Sequence, residues 1–290
     1  MSLHLAQAQL NLQDSLILYL RFDGNTLNSN SNFLISQLDS LNVSSPPLIT
    51  AIFPFFSTDR ASNAQRAIDL GGVGGNIRHF SSPEVLRPPF PVTFAAWVMM
   101  RTYADDNVIL DLGWSQCSPT YIGHENYGMW FNVLDNGQLS AGFGDGRMKP
   151  PGSPVAFSPT VRRIKRGTST LSLNAWHHVA AVVKGPHDIS LYLNGREDCG
   201  TYSGLSDTVQ YCPVPASVSV ARSGMDNTWD HFLDGKLDDL QLWNRALSEQ
   251  EIMQLQDLPP GVTVVDTTIC QGDSLMLYGG PAESYQWGPA

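Results

Sequence analysis

Short apolar runs that alternate with a period of two, broken repeatedly by turn residues, constrain this chain more than any other feature. Successive side chains of an extended strand point to opposite faces, so each such run has one face to bury. Phe94, Ala96 and Val98 alternate with Ala95 and Trp97. Met129, Phe131 and Val133 lead into Asp135-Asn136-Gly137, and Leu139, Ala141 and Phe143 follow. Ile189, Leu191 and Leu193 alternate with Ser190 and Tyr192 up to Asn194-Gly195. Asn-Gly beside alternating runs signals a hairpin, because both turn positions accept φ > 0. Val179–Val183 is apolar throughout and reads as a strand covered on both sides or lying in the sandwich core. Val218 and Val220 open another strand, and Leu240 and Leu242 another, with Asp238 expected on the same face as those two leucines. Many brief strands punctuated in this way predict an all-β fold, a two-sheet antiparallel β-sandwich.

One helix interrupts the pattern. Ser248 and Glu251 have the spacing of a capping box, in which each side chain satisfies the other's unpaired backbone N–H. Ile252 and Leu255 follow at helical spacing and should lie against the sandwich. So short a helix draws its stability from docking rather than from its own propensity. Leu258-Pro259-Pro260-Gly261 then ends the unit. The organisation read from this is a sandwich domain over 10–258, a linker at 259–261 and the opening of a second domain over 262–290.

Hydrophobic residues make up 42% of the chain, enough for a sizeable core, and charged residues 15%. The formal net charge of −10 would repel a phosphate backbone, which argues against nucleic acid as a partner. Arg162, Arg163, Lys165 and Arg166 form the one basic cluster, read as a solvated loop rather than an anion site. No apolar run approaches the roughly 18–20 residues needed to cross a bilayer. Ala6-Gln7-Ala8 has the small-residue form of a signal-peptide cleavage site, so residues 1–9 read as a leader remnant and the protein as secreted or displayed at the cell surface. Cys117, Cys199, Cys212 and Cys270 contain no C-x-x-C and permit three complete pairings. Cys199 and Cys212 flank one polar loop and are the preferred bridge.

Three stretches in order resemble the bacterial laminin-G-like, concanavalin-A-like jelly-roll family. They are Leu18 to Asn25, then Leu173 to Ala180 with Leu191 to Gly195, then Phe232 to Ser248. The resemblance covers about 14–256 and implies a calcium ion between the early Asp-Gly turn and the late Asp-Asp strand. That carries over to Asp23, Asn25 and Asp238, with Asp239 contributing through its backbone. A carboxylate buried beside Leu240 needs a counter-charge or a metal, so a salt bridge to Lys or Arg stands as the alternative. The tail from Thr268 to Pro289 resembles the start of an immunoglobulin-like repeat, and implies further such domains downstream. Two segments depart from the family pattern: 28–57 is long and apolar, and 147–170 looks like an insertion.

Catalysis has no motif to rest on. Related sandwiches that cleave β-glucans carry E-x-D-x-x-E, which is absent, as are G-x-S-x-G and H-E-x-x-H. Glu249 and Glu251 are close in sequence but belong to the helix start. His177 and His178 are adjacent on a strand, point apart, and do not suit one shared ion. The expected ligand zone is Asp105, Asp106, Trp114, Asn126, Tyr127, Trp130 and Asp145, which combine aromatic faces with carboxylate and amide groups suited to sugar hydroxyls. The function expected is a non-catalytic carbohydrate-binding or adhesion module. A protein-contact or spacer module, and a glycoside hydrolase with an unfamiliar site, are the alternatives.

Overall fold

The computed structural model describes residues 11–24, 37–40, 55–70, 75–79, 84–103, 107–112, 127–147, 160–211, 218–221 and 233–256. Their strands, in chain order, begin with β1 (Leu16–Leu20), β2 (Gln37–Ser40), β3 (Phe55–Ser57), β4 (Ala67–Asp69) and β5 (Gly75–His79). β6 (Val92–Met100), β7 (Asn107–Leu112), β8 (Met129–Val133), β9 (Gln138–Gly144) and β10 (Arg162–Thr170) follow. The series closes with β11 (Trp176–Gly185), β12 (Asp188–Leu193), β13 (Arg196–Asp198), β14 (Gly200–Gly204), β15 (Val218–Val220) and β16 (Gly235–Trp243). One helix, α1 (Glu249–Leu255), comes after them.

These strands form two antiparallel sheets. The first runs β13-β12-β11-β6-β16-β4-β3, with β1 also paired to β16. The second runs β14-β10-β9-β8-β7-β15-β5-β2. The core between them is built from the alternate positions read in the sequence. Phe94, Ala96 and Val98 meet Met129, Phe131, Val133, Leu139 and Phe143 there. The Phe94 and Phe131 rings lie 6.0 Å apart. Val179–Val183 is covered on both sides: Val179, Ala181 and Val183 face the shared core, while Ala180 and Val182 lie in a second cluster with Ile252 and Leu247.

Local rules explain the joints. At Asn194-Gly195 both residues have positive φ, 51° and 74°, the mirror-image turn that matches strand twist. At Asn136-Gly137 only Gly137 does, at 79°. A Cβ there would come within 2.8 Å of the Tyr103 ring, so glycine is needed for space as well. The capping box forms as read: the Glu251 N–H donates to Ser248 Oγ at 3.3 Å, and the Ser248 N–H donates to Glu251 at 2.8 Å. Ile252 is fully buried, and Leu255 packs against the same cluster.

Two readings change. The segment 28–57 contributes β2 and β3, and the supposed insertion 147–170 supplies β10, a nine-residue strand between β9 and β14. The basic cluster therefore lies on that strand and is divided between its two faces instead of forming a loop. Arg163 donates to the carbonyls of Pro186 and Gly204 and sits 4.7 Å over the Tyr202 ring. Lys165 Nζ lies 5.4 Å from the same ring. The Tyr202 hydroxyl accepts from the Ile189 N–H and donates to the Ile189 carbonyl, which clasps the second sheet to β12 of the first. The linker and the residues beyond 256 lie outside the described residues.

Candidate functional site

Of the expected site residues, Asp238 lies on the outer face of the first sheet and Trp130 on that of the second. On the first sheet, β16 carries a bulge between its pairings at Asp238 and Gln241, where Asp239 adopts φ 46°. A bulge inserts one extra residue and re-aims the side chains beside it. Leu237 and Leu240 therefore both reach the core, and Asp238 turns outward opposite Trp97 instead of sharing the face of Leu240 and Leu242.

Both carboxylates meet one guanidinium. Arg60 Nη1 donates to Asp238 Oδ2 at 2.7 Å and to Asp239 Oδ2 at 3.0 Å. The Tyr19 hydroxyl donates to Asp239 Oδ1 at 2.8 Å. The Arg60 guanidinium carbon lies 4.5 Å from the centre of the Trp97 ring, whose edge meets His178. Asp238 is only 3% exposed. Burial first, and then Asp239 beside it, push its pKa up to about 7 against the pull of Arg60. Burial and Asp239 likewise raise the Tyr19 hydroxyl.

Asp23 is engaged elsewhere. It pairs with Arg21 at 3.1 Å and Arg66 at 3.7 Å. Asn25 lies outside the described residues. Among the described residues no three of His, Cys, Asp or Glu are grouped to hold a metal. Calcium asks for six to eight oxygens around one point. Here the point on which Asp238 and Asp239 converge is taken by a nitrogen of Arg60, so the described donors as arranged do not fit the ion.

On the second sheet the outward row runs Ser219, Asp111, Trp130, Gly142, Ile164 across β15, β7, β8, β9 and β10. Asn132 and Ser140 are paired in the neighbouring row. All of these polar residues are buried. Trp130 is 4% exposed, and its ring crosses Gly142 so closely that a Cβ there would lie 2.8 Å from it. Asn132 Oδ1 and Ser219 Oγ have no hydrogen-bond partner.

Of the other expected ligand residues, Tyr127 packs against Gly146 in the turn after β9. Asp145 belongs to that turn and is held there, accepting from Arg147 Nε at 2.9 Å and from the Ser206 hydroxyl at 3.1 Å. Arg147, two residues on, is a sequence signal for this pairing. Asp105, Asp106, Trp114 and Asn126 lie outside the described residues. Cys199 is disulfide-bonded, while Cys212 lies outside the described residues. His177 and His178 diverge as expected: His177 bonds Ser172 and Asn194, and His178 meets Trp97. A cleft of about 410 Å³ beside β13 is lined by Thr168, Asn194, Arg196 and Asp198. Asp198 is already saturated there by the Thr168 and Ser169 N–H groups and the Thr168 hydroxyl.

The comparisons agree with this architecture. A family model described as the concanavalin A-like lectin/glucanases superfamily matches residues 74–253, and the chain belongs to that superfamily. Among solved structures it resembles domain 4 of AbnA, a GH43 extracellular arabinanase from Geobacillus stearothermophilus, in complex with arabinotriose. The TM-score is 0.53 at 18% identity, covering 83% of this chain and 98% of that one. It also resembles the binding domain of Paraclostridial Mosquitocidal Protein 1, with TM-score 0.55, 14% identity, 85% of this chain and 52% of that one. The binding domain of botulinum neurotoxin serotype D gives TM-score 0.51 at 13% identity, covering 84% of this chain and 51% of that one. The chain thus spans about half of each toxin domain. At these identities the likeness is one of fold. No curated protein matches the chain.

Proposed function

We propose that this chain is a non-catalytic carbohydrate-binding or adhesion module of an exported surface protein. The observation that carries this reading is the match of residues 74–253 to the concanavalin A-like lectin/glucanases superfamily. The zone expected for the ligand combines indole, carboxylate and amide groups. Sugar hydroxyls both donate and accept, and an indole offers the apolar face that sugar C–H groups stack on. The arabinotriose complex of one structural neighbour belongs to that protein, and supports the class of ligand by analogy of fold alone. Export, the pairing of Cys199 with Cys212 and immunoglobulin-like domains beyond residue 262 complete the proposal.

A protein-contact or spacer role has one observation in its favour: Trp130 is nearly inaccessible and Asp145 is engaged by Arg147 and Ser206. A glycan array on the full chain, including arabino-oligosaccharides and ganglioside glycans, separates the two. Saturable binding to a defined glycan is expected. A blank array with folded protein would transfer the proposal to the protein-contact role.

A further inference from the structure

We infer that Arg60 is the built-in cation of the first sheet's outer face, standing between Asp238 and Asp239 where the sequence pointed to calcium, so that the domain holds its structure without a divalent ion. The inference is independent of the glycan reading, and none of its tests uses a sugar.

Four features place Arg60 there by design of the fold rather than as a passing surface contact. The β16 bulge turns two consecutive carboxylates to one side, which a regular strand cannot do. Both then take hydrogen bonds from the same nitrogen, Arg60 Nη1, and the free oxygen of Asp239 is held by Tyr19. Arg60 itself arrives on a braced turn. Asp59 Oδ1 accepts from the Ala61 and Asn63 N–H groups, each at 2.8 Å, and Asp59 Oδ2 accepts from the Asn63 amide. The guanidinium then lies on the Trp97 ring, a contact its flat, weakly hydrated form suits and a compact hydrated cation does not make with the same economy of ordering.

Asp238 is nearly buried, and a buried carboxylate must be paired or coordinated. Arg60 meets that need with a side chain whose charge never titrates in this range. A calcium ion would have to displace a stacked, doubly hydrogen-bonded guanidinium and then find further oxygens, while Asp23 is occupied by Arg21 and Arg66. The expected behaviour is a sandwich indifferent to calcium and to chelators.

The test is thermal unfolding of the full chain in calcium and in EDTA. The wild-type Tm should agree between the two within about 1 °C, since only a ligand bound to the folded state shifts it. Arg60→Met keeps the stem on Trp97 and removes the charge; in EDTA its Tm should fall by several degrees. The triple change Arg60→Met with Asp238→Asn and Asp239→Asn removes all three charges at nearly constant shape, and should recover most of that loss. Should Arg60→Met not fold, the wild-type and triple-variant curves still decide. A wild-type Tm that drops in EDTA and returns with calcium would overturn the inference. So would a triple variant no more stable than Arg60→Met, because Arg60 would then be acting through packing and not charge.

Discussion

The two sheets cover their outer faces in opposite ways. Near α1 the first sheet is apolar outside as well as inside: Leu16, Ala95, Ala180, Val182 and Trp243 gather under Leu247 and Ile252. The second sheet buries Asp111, Asn132, Ser140 and Ser219 around one tryptophan. Folding free energy accounts for the first arrangement, because every buried side chain there is removed from water at a gain. It does not account for the second, where polar groups are desolvated and two atoms lack partners. The difference separates a face kept for stability from a face whose composition asks for another explanation.

The largest effect should come from attacking the apolar face. Trp243 is fully buried, and its indole N–H donates to the Leu12 carbonyl at 2.8 Å, tying the N-terminal turn to β16. Trp243→Ala would leave a cavity beneath α1 and an unpaired carbonyl. A loss of about 3–5 kcal/mol is expected, read by chemical denaturation. A loss below about 1 kcal/mol would mean that the docked helix contributes little, and would break the contrast at its stronger side.

An intermediate effect belongs to the charged end of the same face. The pKa of Asp238 is raised in the folded state to about 7, from burial and the adjacent Asp239. The sign follows from proton binding. Between the ordinary carboxylate value and about 7 the folded chain holds a proton that the unfolded chain has released. Stability should therefore be highest on the acid side of this window, fall as pH rises toward 7, and level off above it. One proton limits the slope to about 1.4 kcal/mol per pH unit. Asp238→Asn should remove this slope from the Tm-versus-pH curve while leaving other carboxylates to act. A curve for the variant parallel to wild type would show that Asp238 titrates normally.

Much of this was legible in the sequence, for a physical reason. Alternation, Asn194-Gly195 and Ser248 with Glu251 are local signals, each fixed by residues within a few positions of one another. Their strands, turn and cap all form. A salt bridge from Asp238 to Lys or Arg was one of the readings the residues allowed, but the cluster built around Arg60 was not legible. It joins Tyr19, Arg60, Trp97 and Asp238 from four distant segments, and it depends on a bulge that strict alternation does not predict. The rule that put Asp238 beside Leu240 and Leu242 was sound for a regular strand and failed at the one residue with φ 46°. For Trp130 and Asp145 the residue types suit a sugar site, but type alone does not reveal how closely the indole crosses Gly142 or that the distant Ser206 also holds the carboxylate.

The smallest effect on stability tests the polar face most sharply. Ser219 lies between Val218 and Val220, which both face the core, so its hydroxyl points outward beside Asp111. That hydroxyl is fully buried and has no hydrogen-bond partner. Ser219→Ala removes a desolvated polar group and fills nothing, so stability should be unchanged or higher by up to about 1 kcal/mol. The hydroxyl is covered in the free protein, so the same change weakens glycan binding several-fold only if this face opens to the ligand. Denaturation and titration on the same variant give both numbers. Unchanged stability with reduced affinity is the signature of a face maintained for recognition. A variant destabilised by more than about 1 kcal/mol would show that Ser219 supports the fold after all, and the contrast between the two outer faces would then reduce to a difference in composition.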